Sequence, residues 1–274
     1  GPLSDANRAR NVLQNLVDDF YVYKSEKDPH WKWKNGDQIV TEWFVDKGQY
    51  LEWETIFIMH WDMLILSPLQ QLFFGLQPGE ILLSGLRPID TVSSWWPWAK
   101  PNNPDLELFK KLIRNEFNYE GELYACLFIV VCYPRQFLKQ YVSIGHPEIG
   151  FLEYKIPTMA KILGIPFSKN HVFKPWWASD PSTKHVPIRE RLLNAVSHEV
   201  PRLVVLKELA RKDGCRLFHP VFKRYPNCIE NRCIALMFFY FYYCIEIVSN
   251  VSRKIKSFLN QILRRFKAMR HHLD

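Results

Sequence analysis

The feature that most constrains the fold is an apolar run that breaks at three residues. Residues 54–73 read ETIFIMHWDMLILSPLQQLF, and the run is interrupted at His60-Trp61-Asp62 before Met63-Leu64-Ile65-Leu66 continues it. A carboxylate between two apolar segments is costly to bury unless its charge is compensated. Asp62 therefore indicates a bound cation, an Arg or Lys from elsewhere in the chain, or a strand end that reaches solvent.

Short apolar segments alternate with helical patterns along the 274 residues. Strands are predicted at 20–23, 55–59, 80–84, 123–132 and 215–219, and helices at 8–19, 37–48, 69–74, 105–117, 134–141, 158–163 and 203–211. This alternation predicts an α/β fold with a Rossmann-type mixed, mostly parallel sheet flanked by helices. Sites in such folds form at the carboxyl ends of strands, where His60, Asp62 and His219 are predicted to lie.

The charge is concentrated at the end of the chain. The net charge is +8, and residues 250–274 contain seven Lys or Arg against one Asp. The rest of the chain is therefore nearly neutral, which argues against a nucleic-acid partner. Six cysteines form no C-x-x-C pair, and this indicates reduced thiols in a reducing, cytoplasmic compartment. Gly1-Pro2-Leu3-Ser4 is typical of the residues left when a tag is removed, so residues 1–4 are set aside.

The tail, residues 226–274, is predicted to form a helical hairpin. Ile234 to Ile245 is a stretch of twelve uncharged residues, well below the ~20 needed to cross a bilayer. From Val251 to Phe266 apolar residues recur at helical spacing among Lys and Arg, which is typical of a basic amphipathic helix. The sequence leaves three alternatives open: packing on the globular domain, peripheral contact with a membrane through 251–270, or a true span.

The interrupted run resembles a motif of GT-A-fold glycosyltransferases. That family carries an Asp-x-Asp motif just after a buried strand, followed by an apolar strand and a helix. Residues 55–69 look like this element, with Asp62 at the last Asp and His60 in place of the first. Residues 217–221 (LFHPV) are similar to the family's last strand, where a following His completes the metal site. The resemblance implies a GT-A-like catalytic domain over 5–225 and a Mn²⁺ or Mg²⁺ site made of Asp62, His219 and His60.

The same resemblance implies a reaction. A metal-dependent transferase would move a sugar from a nucleoside-diphosphate donor, a UDP-sugar such as UDP-xylose, to a hydroxyl of an oligosaccharide or glycoprotein. Residues 148–158 look like the family's acceptor-side element, which implies Glu153, or else Glu148, as the base of an inverting enzyme. The style of the chain also resembles glycosyltransferases of large algal DNA viruses (chloroviruses) that build capsid glycans.

Two loops of the chain are rich in tryptophan. Ten Trp are costly to expose without partners, so the Trp-rich loops at 93–104 and 170–187 are expected to supply sugar-binding rings. The candidates are Trp95, Trp96, Trp98, Trp176 and Trp177, with rigid packing as the alternative. The residues that bind the nucleotide are not identified. The alternative function is a non-catalytic protein of the same fold that binds carbohydrate or a membrane surface.

Overall fold

The structure is a computed structural model that describes residues 3–23, 27–169, 175–178, 180–187, 190–195, 198–225 and 229–270. The chain divides into two compact units. Unit 1 comprises residues 1–61, 69–187 and 193–196, and unit 2 comprises 62–68, 188–192 and 197–274. The division passes between Trp61 and Asp62, inside the interrupted apolar run.

The main sheet of unit 1 has three strands. Its order is β1 (Thr55–Met59), β6 (Val130–Pro134), β3 (Leu82–Leu83), and both pairings are antiparallel. The central strand β6 is buried along its whole length. A second pair, β4 (Arg87–Pro88) with β5 (Tyr124–Ala125), is also antiparallel.

The predicted mostly parallel, Rossmann-type sheet is therefore wrong for the described residues, although the mixed α/β composition is confirmed. Every described ladder is antiparallel, and the parallel pairings are two isolated bridges, Ile81 with Phe167 and Trp176 with Asn194. The physical reason lies in β6. A central strand that is covered on both faces is apolar throughout, and parallel and antiparallel strands of this kind have the same sequence pattern.

The described residues of unit 1 also form α-helices. They are α1 (Leu3–Leu13), α2 (Pro29–Lys34), α3 (Gly36–Asp46), α4 (Leu69–Leu72), α5 (Pro104–Phe117), α6 (Arg135–Tyr141) and α7 (Leu152–Ile162). Of these, α6 contacts strand β6 and α7 contacts strand β5. The prediction for α5 is confirmed because its ends carry clear signals. The Asn103 side chain accepts a hydrogen bond from the Leu106 N–H, Pro104 occupies the first turn, and Asn118 ends the helix in the left-handed conformation.

Two predicted strands of unit 1 differ from the structure. Residues 20–23 form no strand. Residues 123–132, predicted as one strand, contain all of β5, a turn and the start of β6. The Leu127 N–H donates to the Ser84 carbonyl, and the Cys126 N–H donates to the Glu153 carbonyl. These bonds turn the chain without any Gly or Pro, so the sequence gives no sign of the break.

Unit 2 contains β2 (Leu64–Ile65) paired antiparallel with β7 (Leu217–Phe218), and two helices, α8 (Arg202–Ala210) and α9 (Arg232–Arg270). Its core holds Val205, Leu206 and Leu209 of α8 with Phe218 and Ala235. The predicted C-terminal hairpin is wrong, since α9 is one helix of 39 residues. No Gly or Pro occurs between Arg232 and Arg270, so the two strongest helix-breaking residues are absent there.

Candidate metal centre

The break in the apolar run begins where β1 leaves its sheet. The last pair of the ladder joins Met59 to Val130, and the His60 N–H then donates to the Ile129 carbonyl at 3.3 Å. After this bond the chain turns outward, so that His60 is exposed and Trp61 is 88% exposed. His60 and Trp61 thus lie at a strand end that reaches solvent, whereas the Asp62 side chain is only 12% exposed.

The pairing of β2 with β7 brings Asp62 and His219 together within unit 2. The register joins Leu64 to Phe218 and Ile65 to Leu217. The Val221 N–H donates to the Asp62 carbonyl at 2.7 Å, and the His219 N–H donates to the Leu192 carbonyl at 2.8 Å. These backbone bonds hold both residues close to the end of the two-stranded pair.

The side chains of this pair meet in a nearly buried position. His219 Nε2 lies 3.3 Å from Asp62 Oδ1, and the two side chains are 7% and 12% exposed. One ligand atom each from His60, Asp62 and His219 lies within 4.8 Å of the other two. His60 precedes Asp62 by only two residues, so the third donor comes from the same turn of the chain. The sequence prediction that these three residues lie together is confirmed.

The donor set fits a divalent cation. Two imidazoles and one carboxylate leave open positions for other ligands; imidazole suits transition metals such as Zn²⁺, and the carboxylate suits Mn²⁺ or Mg²⁺. Bonds of roughly 2.1 Å would separate two ligand atoms by at most about 4 Å, so the set must contract slightly around an ion. Because His60 is exposed, it is the ligand with the most room for such a shift. The group can therefore hold a metal ion.

Glu153 lies in unit 1, in the first turn of α7, and its half-buried carboxylate has a distinct environment. Glu153 Oε1 accepts a hydrogen bond from the Phe128 N–H at 3.0 Å. Burial raises the pKa of the Glu153 carboxyl from its usual value of 4.5 to about 7, and the bond from Phe128 opposes that rise. Ile129, the residue after Phe128, accepts a hydrogen bond from the His60 N–H through its carbonyl oxygen. The segment Phe128-Ile129 therefore contacts both Glu153 and the end of β1.

Glu148, the second candidate for the base, has a different setting. Its side chain is 55% exposed, and its Oε1 lies 3.7 Å from His146 Nδ1. The structure thus distinguishes the two candidates by environment: the Glu148 carboxylate is exposed to solvent, and Glu153 is half-buried.

The five predicted sugar-binding tryptophans separate into two groups. Trp177 is 1% exposed and Trp96 is 7% exposed, and their rings pack edge to face with centroids 5.2 Å apart. A buried ring has no face left for a sugar, so the prediction is wrong for these two residues and packing is their role. Trp95, Trp98 and Trp176 are half-buried, and a sugar-binding role for them stays a prediction.

Phe151 explains part of this packing. It is 1% exposed, and its ring contacts Trp98 at 4.7 Å, Trp33 at 4.9 Å and Trp96 at 6.1 Å between centroids. Aromatic pairs at these separations stabilise a core beyond the area they bury. The tryptophan loop therefore serves first as the cover of this cluster.

Trp61 is the candidate that reasoning from the sequence missed. It lies between two possible metal ligands and is the most exposed of the large apolar side chains in the described chain. An indole ring next to a cation site offers a face on which a sugar or a base can stack. The sequence feature that indicates a role for Trp61 is its position in His60-Trp61-Asp62, outside the tryptophan-rich loops.

No protein-family model, curated protein or solved structure matches this chain.

Proposed function

We propose that this chain is a metal-dependent glycosyltransferase that moves a sugar from a nucleoside-diphosphate donor to a hydroxyl of a glycan acceptor. The observation that carries the proposal is the meeting of Asp62 and His219, at 3.3 Å, through the β2–β7 pair. With His60 they form the donor group expected from the GT-A resemblance, in the expected order along the chain. A UDP-sugar, with UDP-xylose first among them, is the proposed donor.

Asp62, His219 and His60 would hold Mn²⁺ in preference to Mg²⁺. The ion supplies a positive charge that binds the donor's phosphate oxygens and stabilises the negative charge on the departing diphosphate. The two ligands of unit 2 are nearly buried, so their positions are fixed before the ion arrives. Such preorganisation strengthens electrostatic stabilisation, because no energy is spent on reorienting the ligands.

Glu153 is the proposed general base. Its carboxylate would take the proton from the acceptor hydroxyl while that oxygen forms a bond to the anomeric carbon and the bond to the diphosphate oxygen breaks. A single displacement of this kind inverts the anomeric configuration. A carboxyl whose pKa is about 7 is well matched to this task at neutral pH, because it is half deprotonated there and still has a strong tendency to accept a proton.

Trp61 is the proposed stacking surface for the donor or acceptor sugar. Its exposed ring adjoins His60 and Asp62 in the chain, so a sugar stacked on it would lie near the diphosphate. The half-buried rings of Trp95, Trp98 and Trp176 are secondary candidates for the acceptor.

A thermal-shift experiment tests the proposal. The unfolding temperature is measured with UDP-xylose, UDP-glucose or UDP-galactose, with Mn²⁺, Mg²⁺ or a chelator. A donor that stabilises the protein only with Mn²⁺ is the expected result, because binding to the folded state raises the unfolding temperature. Asp62→Asn should abolish this shift, and Asp213→Asn, a change at an exposed carboxylate of the same unit, should leave it intact. A shift that survives Asp62→Asn or chelation would overturn the metal site.

The competing hypothesis, a non-catalytic carbohydrate-binding protein, predicts a different result in the same assay. Oligosaccharides alone would then raise the unfolding temperature, without metal or nucleotide and equally in the Asp62→Asn variant.

A further inference from the structure

The helix α9 has two different faces in its first three turns. One face packs on the rest of unit 2. On this face Ala235 is fully buried, and Phe238, Phe239 and Tyr242 contact the core beside α8. Arg202 of α8 lies over the ring of Tyr242, with Cζ 4.6 Å from the centroid. This face anchors the start of α9 to the unit.

The other face carries exposed apolar side chains over five turns. They are Leu236, Met237, Tyr240, Phe241, Tyr243, Ile245, Ile247, Val248, Val251 and Ile255, each at least 44% exposed. We call the line through Met237, Tyr240, Val248, Val251 and Ile255 the apolar stripe. Its members lie three, four or eight residues apart, which keeps them on one side of an α-helix.

The sequence extends this pattern to the end of the helix. Apolar residues continue at 258, 259, 262, 263 and 266, at spacings that stay in phase with the stripe. All seven charged residues after Glu246 within α9 are cationic: Arg253, Lys254, Lys256, Arg264, Arg265, Lys267 and Arg270. A long apolar face followed by a segment that has many Lys and Arg and no Asp or Glu is suited to a surface that is apolar inside and negatively charged outside.

We propose that α9 lies along the surface of a membrane that contains anionic lipids, with the apolar stripe at the boundary of the acyl chains and the Lys and Arg at the phosphates. The cytoplasmic leaflet of a membrane is the natural source of such a surface. This interaction is independent of the transferase reaction.

A transmembrane arrangement fits the contacts less well. Arg232–Ser257 is long and apolar enough to cross a bilayer by length and composition, with a mean hydropathy of 1.6. However, residues 234–242 include the face that packs on the core of unit 2. The apolar segment that remains, 243–252, spans about 15 Å, which is half the thickness of a hydrocarbon core of about 30 Å.

A second copy of the chain is also a poorer partner. Parallel pairing of two helices along the stripe would bring their cationic residues close together, and residues 247–270 contain no Asp or Glu that could compensate them. Like charges across such a helix pair destabilise it. Anionic phosphates remove this repulsion.

Vesicle sedimentation with the full chain tests the proposal. The protein is mixed with vesicles of phosphatidylcholine alone or with about 30% phosphatidylserine. We expect at least about tenfold tighter binding to the anionic vesicles, and release at high salt as surface charges are screened. Equal binding to both vesicle types, or binding that resists high salt and alkaline carbonate as a spanning helix would, contradicts the proposal.

Two matched variants separate the stripe from charge alone. Val251→Asp places a carboxylate on the stripe, and Ser249→Asp places the same charge at an exposed position on another side of α9. Val251→Asp should weaken binding by about tenfold more than Ser249→Asp, because only it puts a charge into the acyl boundary. Both positions are exposed, so equal thermal unfolding is expected, and circular dichroism checks it.

Light scattering without lipid covers the remaining alternative. A dimer that becomes a monomer in Val251→Asp, with no vesicle binding by the unchanged chain, would assign the stripe to self-association and overturn the membrane proposal.

Discussion

His219 Nε2 lies 3.3 Å from Asp62 Oδ1, and both side chains are almost fully buried in unit 2. The two residues are held there by backbone bonds on either side, from Val221 to Asp62 and from His219 to Leu192. An imidazole and a carboxylate fixed in this way could both coordinate a metal ion. Because folding has already ordered the two side chains, ion binding would cost little further conformational entropy. Removing either donor should therefore have a large effect on metal binding and a smaller one on the fold.

Asp62→Asn should weaken Mn²⁺ binding by about 100-fold or more and reduce transfer by a similar factor. The reason is that an amide is a much poorer ligand for a cation than a carboxylate, and even outer partners of metal ligands contribute 10–100-fold. Calorimetric titration with Mn²⁺ measures the affinity. Asp213→Asn is the control, and undiminished Mn²⁺ binding by Asp62→Asn would show that the ion binds elsewhere.

The pH profile should identify the base. If Glu153 accepts the proton, kcat/KM rises about tenfold per pH unit below pH 7 and levels off above it, because only the deprotonated carboxylate is active. Glu153→Gln should lower the rate by about 10²–10⁴-fold and remove this acidic limb. Its amide oxygen can still accept the Phe128 N–H, which preserves the local fold. An acidic limb that persists in Glu153→Gln and disappears in Glu148→Gln would transfer the role to Glu148.

Glu153 should also make stability depend on pH. Its pKa is raised from 4.5 to about 7 in the folded chain, so the folded state binds a proton that the unfolded state releases between these values. The contribution to stability is fully present below pH 4.5 and is lost as the pH rises through 7. At pH 8 Glu153→Gln should therefore be more stable than the unchanged chain, by on the order of 1–3 kcal/mol. Urea unfolding at pH 4.5 and pH 8 checks this, and a difference that does not change with pH argues against the raised pKa.

Trp61→Ala should affect binding without affecting the fold. The ring is 88% exposed, so little packing is lost, whereas loss of a stacking surface should raise KM by about tenfold at nearly constant kcat. Steady-state kinetics with varied donor and then varied acceptor reveal which sugar the ring contacts. Tyr50→Ala removes another exposed aromatic ring, 78% exposed, and should change neither constant. A reduced unfolding temperature in Trp61→Ala would instead indicate a packing role.

A buried ion pair should control the stability of unit 1. Lys155 Nζ lies 2.8 Å from Asp37 Oδ2, with side chains 4% and 1% exposed, and the Tyr141 hydroxyl donates to the same oxygen at 2.7 Å. Lys155→Met leaves the Asp37 carboxylate buried without its cation, which should cost about 3–5 kcal/mol in urea unfolding. Adding Asp37→Asn should recover part of this loss. A cost below about 1 kcal/mol would mean that water or rearrangement satisfies the charge.

The elements that the sequence predicts well are those with local signals. Thr55–Met59 and Pro104–Phe117 follow from an apolar run and from capping residues, which act over a few residues. Strand direction depends on partners far away in the chain. Because β6 is buried on both faces, its sequence does not indicate whether its neighbours run parallel or antiparallel to it. The burial of Asp37 could not be predicted from nearby residues either, because its cation comes from Lys155 in α7.

The candidate site was predictable in its residue types and less so in its surroundings. His60, Asp62 and His219 stand out as polar residues at the ends of apolar segments, and the structure brings them together. The burial of Trp96 and Trp177 could not be read from their loops, because Phe151 and Tyr154, around which the cluster forms, lie in another part of the sequence. The exposure of the Trp61 ring could not be predicted either, because Trp61 lies within an apolar run that is typical of buried residues.

The two strands that unite Asp62 and His219 have a consequence for the way the protein folds. These positions are 157 residues apart in the chain, so bringing them together closes a long loop, which is slow and entropically unfavourable before other contacts form. An ion held by both ligands would therefore bind late in folding, because a partly folded chain in which one ligand is out of place cannot hold it. The time course of Mn²⁺ uptake during refolding would therefore follow the last step of assembly, whatever the earlier steps are.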